Sequence, residues 1–149
     1  MKPNTTVQGI RGEVLRKSYP SQKEIDGLTK IKKKQLDGRE LEVPDIEELE
    51  EETVGNIILN CLTAYAVKDK KEGFYINLIA NTILNYKEGE EIEFKDKIKK
   101  FLIGVLEESM VRKTKTEDEK GKEKEEVKGF YAGWLVCQVL ASLGVEAED

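Results

Sequence analysis

The chain has 149 residues, enough for a single domain with an additional arm, and 37% of them are charged. It contains no histidine, which excludes Ser-His-Asp and Cys-His nucleophile systems. Its two cysteines are too few for a four-cysteine zinc site within one chain. No apolar run approaches the roughly 20 residues of a membrane span, and residues 1–6 lack the apolar stretch of a signal peptide. We therefore expect a soluble cytoplasmic protein with no membrane contact.

Charge divides the chain into two parts at Pro44. Residues 1–44 hold ten Lys and Arg against six Asp and Glu, a net charge of +4, whereas residues 45–149 hold fifteen against twenty-four, a net charge of −9. Within the basic part, residues 1–30 contain few apolar residues and are interrupted by three glycines and Pro20. This pattern predicts an extended basic arm. The charge asymmetry between the two parts of the chain indicates how it binds partners rather than how it folds. The candidate partner-binding residues of the arm are Arg11, Arg16, Lys17 and Lys30.

A small β-hairpin is predicted over residues 31–44. Asp37-Gly38 separates two short runs, and glycine readily takes the positive φ of a tight hairpin turn. Leu41 and Val43 alternate with charged residues, as in a half-buried strand. The other strand suits an exposed edge because it is rich in lysine. It adds three candidate partner-binding residues, Lys32, Lys33 and Lys34.

Residues 45–149 are predicted to form an acidic body of four helices. Apolar periodicity and capping residues predict these helices over residues 54–67, 70–86, 95–112 and 127–143. Thr53 and Asp69 are good N-caps for the first two, and Gly144 ends the last. The first and fourth helices are the most apolar, so we place them at the centre and expect the other two to cover them. The expected fold is mainly α: a compact four-helix domain with a small N-terminal β-hairpin and an extended N-terminal arm.

A charged spacer, residues 113–126, separates the third and fourth predicted helices and contains no apolar residue. We expect a solvated loop or a polar extension of the flanking helices. A contact surface is the other interpretation, because structureless loops of this length are uncommon unless they are functional or disordered.

No set of residues predicts catalysis. Cys61 and Cys137 lie within apolar runs, where free cysteine is a small core residue; a disulfide between them stays open, although nothing indicates an oxidising compartment. Acidic residues fall at helical spacing, as Glu47 and Glu51 do, but the calcium-loop pattern and the Gly-rich phosphate loop are both absent. We therefore expect no enzyme, no metal and no cofactor.

Asparagine forms an unusual pattern in the body. Asn77, Asn81 and Asn85 recur every four residues on the second helix, and Asn56 and Asn60 have the same spacing on the first. Asparagine is a poor helix former, so its repetition requires a reason. One interpretation is a polar ridge that hydrogen-bonds a partner, and the other is a solvated stripe.

Aromatic residues crowd the start of the fourth helix, beside the charged spacer. They are Phe130, Tyr131 and Trp134. Most of this cluster is expected to belong to the core. An aromatic edge that stays exposed would suit a protein partner, because Tyr and Trp favour the centres of interfaces, so Tyr131 and Trp134 are candidate partner-binding residues.

Several short motifs of the body form a recognisable order. Thr53-Val-Gly-Asn-Ile-Ile-Leu-Asn60 is followed by a Lys-Glu-Gly turn, by Glu91-Ile-Glu-Phe94 and by Val136-Cys-Gln-Val-Leu140. Over residues 50–143 this order resembles a group of small phage and prophage helical proteins of uncharacterised function. Cys137 stands where that group has glycine, and the charged spacer looks like an insertion. The resemblance supplies no catalytic residues and implies a phage context.

These observations predict a non-catalytic phage-type protein that acts through protein–protein contacts. We expect a virion or assembly component whose basic arm packs on a neighbouring subunit, the partner being a second copy or another phage structural protein. The alternative is a small acidic phage regulator or inhibitor that occupies the nucleic-acid-binding site of a host protein. Weak nucleic-acid binding by the basic N-terminal segment is a third hypothesis, which the acidic body disfavours because it repels phosphate.

Overall fold

A computed structural model describes residues 1–17, 31–36, 39–44 and 50–146. These residues are mainly α-helical. The helices are α1 (Val54–Ala64), α2 (Lys70–Leu84), α3 (Asp96–Ser109) and α4 (Gly133–Ser142). The strands are β1 (Ile31–Leu36), β2 (Arg39–Pro44), β3 (Arg112–Glu117) and β4 (Glu123–Lys128). Among the described residues, no helix is both long enough and apolar enough to cross a membrane.

The predicted caps of the first two helices are confirmed. The Thr53 side chain accepts a hydrogen bond from the Asn56 amide at 3.2 Å, and an Asp69 carboxylate oxygen accepts one from the Glu72 amide at 2.9 Å. Each bond satisfies an amide that has no partner within its own helix. The short polar residues before each apolar run therefore set the starts of α1 and α2.

The core is centred on α1 and α3, which corrects the expectation that the first and fourth helices form the centre. Each of these two helices packs against the other three, whereas α2 and α4 each pack against α1 and α3. Ile57 and Ile58 of α1 and Leu102 and Leu106 of α3 are fully buried. The apolar stripe of α3 is narrow, but it lies in the middle of the packing. Its apolar side chains are therefore buried as deeply as those of the more apolar α1.

Two antiparallel strand pairs accompany the helices. Strands β1 and β2 pair from Ile31 opposite Pro44 to Leu36 opposite Arg39; the predicted Asp37-Gly38 turn lies outside the described residues. Strands β3 and β4 pair from Arg112 opposite Lys128 to Glu117 opposite Glu123. The pair formed by β3 and β4, at residues 112–128, lies C-terminal to the hairpin that the sequence predicts over residues 31–44.

The β3–β4 ribbon replaces the predicted loop over residues 113–126. Its turn is held by Asp118, whose carboxylate accepts hydrogen bonds from the amides of Lys120 and Lys122, both at 2.9 Å. Gly121 takes a φ of +73° in this turn. Strand β4 is exposed along its whole length, so the ribbon needs no apolar alternation. Because residues 123–128 form a strand, α4 begins at Gly133, later than predicted.

The described part of the N-terminal arm, residues 1–17, lies against its own helical body. The Val7 amide donates to the Glu52 carbonyl at 3.1 Å, and the Glu52 amide donates to the Leu15 carbonyl at 2.7 Å. Residues 50–54 thus run between two extended stretches of the arm, which turn around at residues 9–13. The side chain of Gln138 on α4 fastens this turn, because its amide both accepts from the Gln8 amide at 3.1 Å and donates to the Gln8 carbonyl at 2.6 Å.

Candidate functional site

The basic residues predicted to bind a partner do not gather into one site. Arg11 is exposed at the turn of the arm, where its amide donates to a Glu13 carboxylate oxygen at 2.9 Å. The backbone of Arg16 pairs with that of Glu51. Lys30 lies outside the described residues. For Lys32, Lys33 and Lys34 the structure gives only their positions along β1, opposite Val43, Glu42 and Leu41.

Lys17 has an acidic partner within its own chain. Its Nζ lies 2.8 Å from a carboxylate oxygen of Glu50. The hydrogen bond and the charge of Lys17 hold the pKa of Glu50 below its ordinary value. The arm therefore directs one of its basic side chains, that of Lys17, toward an acidic residue of its own body.

Tyr131 is a core residue, and this position corrects its assignment to a partner-binding surface. Only 5% of it is exposed. Its hydroxyl accepts a hydrogen bond from the Asn60 side-chain amide at 2.9 Å. Asn56 is likewise used within the fold, since its side-chain amide donates to the buried Glu52 carboxylate at 2.6 Å. The asparagines of α1 therefore satisfy internal polar groups and form no ridge for a partner.

Trp134 keeps an exposed edge, with 40% of its surface accessible. Together with Arg16, Glu52 and Phe130 it lines a cavity of about 220 Å³ between the arm and the start of α4. This cavity brings together three of the predicted residues, Arg16, Tyr131 and Trp134. Its wall combines an indole ring with charged side chains that also belong to the packing of the arm.

The predicted asparagine ridge on α2 is present on the surface. Asn77, Asn81 and Asn85 are all exposed. The Asn85 side-chain amide donates to the Asn81 backbone carbonyl at 2.9 Å, which helps to end the helix. The buried residues of α2, Ile79 and Ile83, lie on the opposite side. The ridge therefore faces away from the core.

Large apolar side chains share this outward side of the helix. Phe74 is 72% exposed, Leu78 48% and Leu84 68%. Residues separated by three and four positions lie on one helix face, which places Phe74, Leu78 and Asn81 together. We call the exposed surface formed by Phe74, Asn77, Leu78, Asn81, Leu84 and Asn85 the α2 face.

The α2 face is also free of charge. Residues 73–86 contain no Asp, Glu, Lys or Arg, in a chain in which 37% of the residues are charged. Glu72, at the edge of this stretch, accepts hydrogen bonds from the Tyr65 hydroxyl at 2.9 Å and the Lys68 amide at 2.9 Å. An uncharged helical stretch is expected where it is buried, as in α1, but the uncharged part of α2 exposes this surface.

The apolar members of the α2 face were missed from the sequence because the apolar residues of the second helix were treated as one periodic set. Their positions do carry a signal. Ile79 and Ile83 are four residues apart and lie on one side of the helix, whereas Phe74 and Leu78 lie on another. Such a divided set indicates two apolar surfaces, one facing the core and one facing outward.

The described residues hold no group of three or more His, Cys, Asp and Glu side chains that could bind a metal ion. Burial raises the pKa of the Cys61 thiol to about 11, against a partial lowering by a hydrogen bond with Ser109. Desolvation and the hydrogen bond with Glu72 raise the pKa of Tyr65 to about 12. Both groups are therefore protonated near neutral pH, and neither is an activated nucleophile. Cys137, predicted to be a core residue, is exposed.

Comparison of the chain with protein-family models, with curated proteins and with solved structures finds no match.

Proposed function

We propose that the chain is a non-catalytic phage-type protein that acts through protein–protein contacts, as a component of the virion or of its assembly. The observation that carries the proposal is the α2 face, which exposes three large apolar side chains on one helix. Contiguous exposed apolar surface rimmed by polar residues is typical of interaction sites. The phage context rests on the resemblance of the motifs within residues 50–143.

The composition of the α2 face favours a protein as its partner. The centres of protein–protein interfaces are depleted in charged residues and enriched in aromatic ones, and this face carries the aromatic residue Phe74 and no charge. Nucleic acid is disfavoured, because a surface without Lys or Arg offers nothing to phosphate. The net charge of −9 on residues 45–149 also disfavours nucleic acid, because it repels phosphate.

The α2 face takes the place of the arm as the proposed contact. Residues 1–17 already pair with residues 50–54 and with Gln138 of the same chain, so several of their backbone groups are occupied. Packing of the arm, residues 1–30, on a neighbouring subunit stays a prediction, and residues 18–30 lie outside the described residues.

The proposal is tested in a lysogen or phage that encodes the chain. Purified particles and assembly intermediates are examined for the wild-type chain, for Phe74→Asp and for the control Ile10→Asp, which adds the same charge at another exposed apolar residue. We expect the wild type and the control to enter particles or intermediates and Phe74→Asp to be depleted from both. Absence of the wild-type chain from both fractions, with unchanged particle yield after deletion of its gene, would overturn the proposal.

The alternative, an acidic inhibitor of a nucleic-acid-binding host protein, is favoured by one separate observation. The segment that joins α2 to α3, together with the first residue of α3, exposes five acidic residues, namely Glu88, Glu90, Glu91, Glu93 and Asp96. Such a cluster can occupy a surface that normally binds phosphate. The test is capture from host lysate with the wild type and with a variant in which Glu90, Glu91 and Glu93 are changed to glutamine. Recovery of no nucleic-acid-binding protein, or equal recovery by both chains, rules this function out.

A further inference from the structure

We propose that the partner of the α2 face is a second copy of this chain, and that the two copies pair their α2 helices antiparallel about a two-fold axis. This inference rests on the proposed function, because it names the partner of the same surface. Three features carry it: the absence of charge at the centre of the face, the self-complementary chemistry of its asparagines, and the opposite charges at its two ends.

Two-fold symmetry places the same residue of each copy close to the axis. A charged residue there would meet its own like charge, but residues 73–86 contain none. Asn81, beside Leu78 in the middle of the face, carries both a donor and an acceptor in one side chain. An amide of this kind can hydrogen-bond the identical amide of the other copy. Asparagine between paired helices is also a known means of fixing their register.

The two ends of α2 have opposite charge. Residues 68–71, at its start, hold three lysines and one aspartate, a net charge of +2; residues 87–91, just after its end, hold one lysine and three glutamates, a net charge of −2. Antiparallel pairing brings the start of each helix to the end of the other. Parallel pairing would instead bring like charges together at both ends. The charge distribution therefore selects the antiparallel arrangement.

The axis that this arrangement requires falls on the α2 face. Ile79 lies midway along the chain between Lys70 and Glu88, and the exposed residues at that level are Leu78 and Asn81. An axis at this level sets Phe74 of each copy against the C-terminal half of the other α2 helix. A helix of 15 residues is about 22 Å long. Pairing through one such helix buries less than the ~800 Å² per partner of a standard interface, so a reversible dimer is expected.

The experiment is sedimentation equilibrium of the full chain from low-micromolar to near-millimolar concentration. We expect the wild type to dimerise and Asn81→Asp to weaken the dimer by at least about tenfold, the effect of 1.4 kcal/mol, because it places two like charges at the axis. Asn4→Asp is the matched control, since it makes the same substitution at an exposed position in the arm. It should leave the dimer unchanged. Circular dichroism of each variant confirms that the helices are retained.

The antiparallel arrangement is tested by exchanging charges between the two ends. Lys70→Glu and Glu88→Lys should each weaken the dimer severalfold, and the double variant should restore it, because each end again meets its opposite. Failure of the double variant to restore the dimer overturns the antiparallel arrangement. A monomeric wild type at all concentrations, or a dimer insensitive to Asn81→Asp, overturns the second copy as the partner. Either result leaves the proposed function standing if the particle experiment with Phe74→Asp succeeds.

Discussion

Replacement of Gly129 by alanine tests how the β3–β4 ribbon is joined to the helical body. Gly129 has a φ of +88°, and a Cβ atom added there would lie 2.1 Å from the Met110 carbonyl oxygen and 2.8 Å from that of Ser109. The Ser109 carbonyl is held in place. The amides of Phe130 and Tyr131 both donate to the Ser109 oxygen, at 3.0 and 3.1 Å, so the backbone cannot move aside without losing those bonds.

The expected loss of unfolding free energy in Gly129→Ala follows from comparison with Gly121, at the tip of the same ribbon. Gly121 has a φ of +73°, but an added Cβ atom would meet nothing within 4 Å. Gly121→Ala therefore carries only the conformational cost, about 1 kcal/mol. Gly129→Ala adds a backbone clash of the kind that costs typically 1–3 kcal/mol or more, so its total loss of unfolding free energy should be about 4 kcal/mol. At about 2–4 °C per kcal/mol for a domain of this size, the melting temperature should fall by about 10 °C.

The assay is urea unfolding followed by circular dichroism, with thermal melting as a second measurement. The wild type, Gly121→Ala and Gly129→Ala are compared under one set of conditions. A difference of less than about 1 kcal/mol between the two variants would refute the reasoning, since the overpacking penalty for the clash would then be missing. Equal and large losses would also refute it, because the tip of the ribbon would then be as constrained as its base.

Three other substitutions or measurements address the interior and the arm. Tyr131→Phe removes the acceptor of the Asn60 amide, and urea unfolding should show a loss of about 1 kcal/mol. A thiol reagent should modify Cys137 in the native protein and Cys61 only after unfolding, because the thiolate is the reactive form and burial raises the pKa of Cys61 to about 11; thiol counts before and after denaturant check this. The pKa of Glu50 is lower in the folded state than its ordinary 4.5, so the Lys17–Glu50 pair stabilises the fold above that pH and loses its effect as pH falls through the lowered value. Glu50→Gln should cost less than about 1 kcal/mol at neutral pH and nothing in strong acid, as measured by urea unfolding at both pH values.

Local signals in the sequence predict the helices well where a capping residue precedes an apolar run. Thr53 and Asp69 identify the starts of α1 and α2 because each cap is formed by its own side chain within three residues. The start of α4 was predicted too early, and Ala132, which precedes this helix, gives no side-chain cap. Lys95, which precedes α3, gives none either. The start of α4 is set by the strand that precedes it, which the sequence did not predict, whereas the acidic-apolar step before α3 placed that start within one residue of Asp96.

Burial was harder to predict than helicity. Phe74 and Tyr131 are both aromatic residues on apolar stretches, yet Phe74 is 72% exposed and Tyr131 is 5% exposed. Their difference comes from contacts that span the chain: Tyr131 reaches Asn60, 71 positions away, whereas the side of α2 that carries Phe74 has no packed helix over it among the described elements. Periodicity identifies the faces of a helix but does not say which face meets the core. That is why the sequence found the asparagines of the α2 face and missed its apolar residues.

The division of charge at Pro44 has a different consequence in the structure from the one that the sequence suggests. A basic arm and an acidic body predict complementary contacts between subunits, but Lys17 binds Glu50 and Arg16 pairs through its backbone with Glu51, all within one chain. Lys17 thus finds its acidic partner within its own chain. A surface for a second molecule should then be sought outside residues 1–17. The α2 face is such a surface, because it is the exposed side of a stretch with no charged residue, and the opposite charges at its two ends suit antiparallel pairing with a second copy.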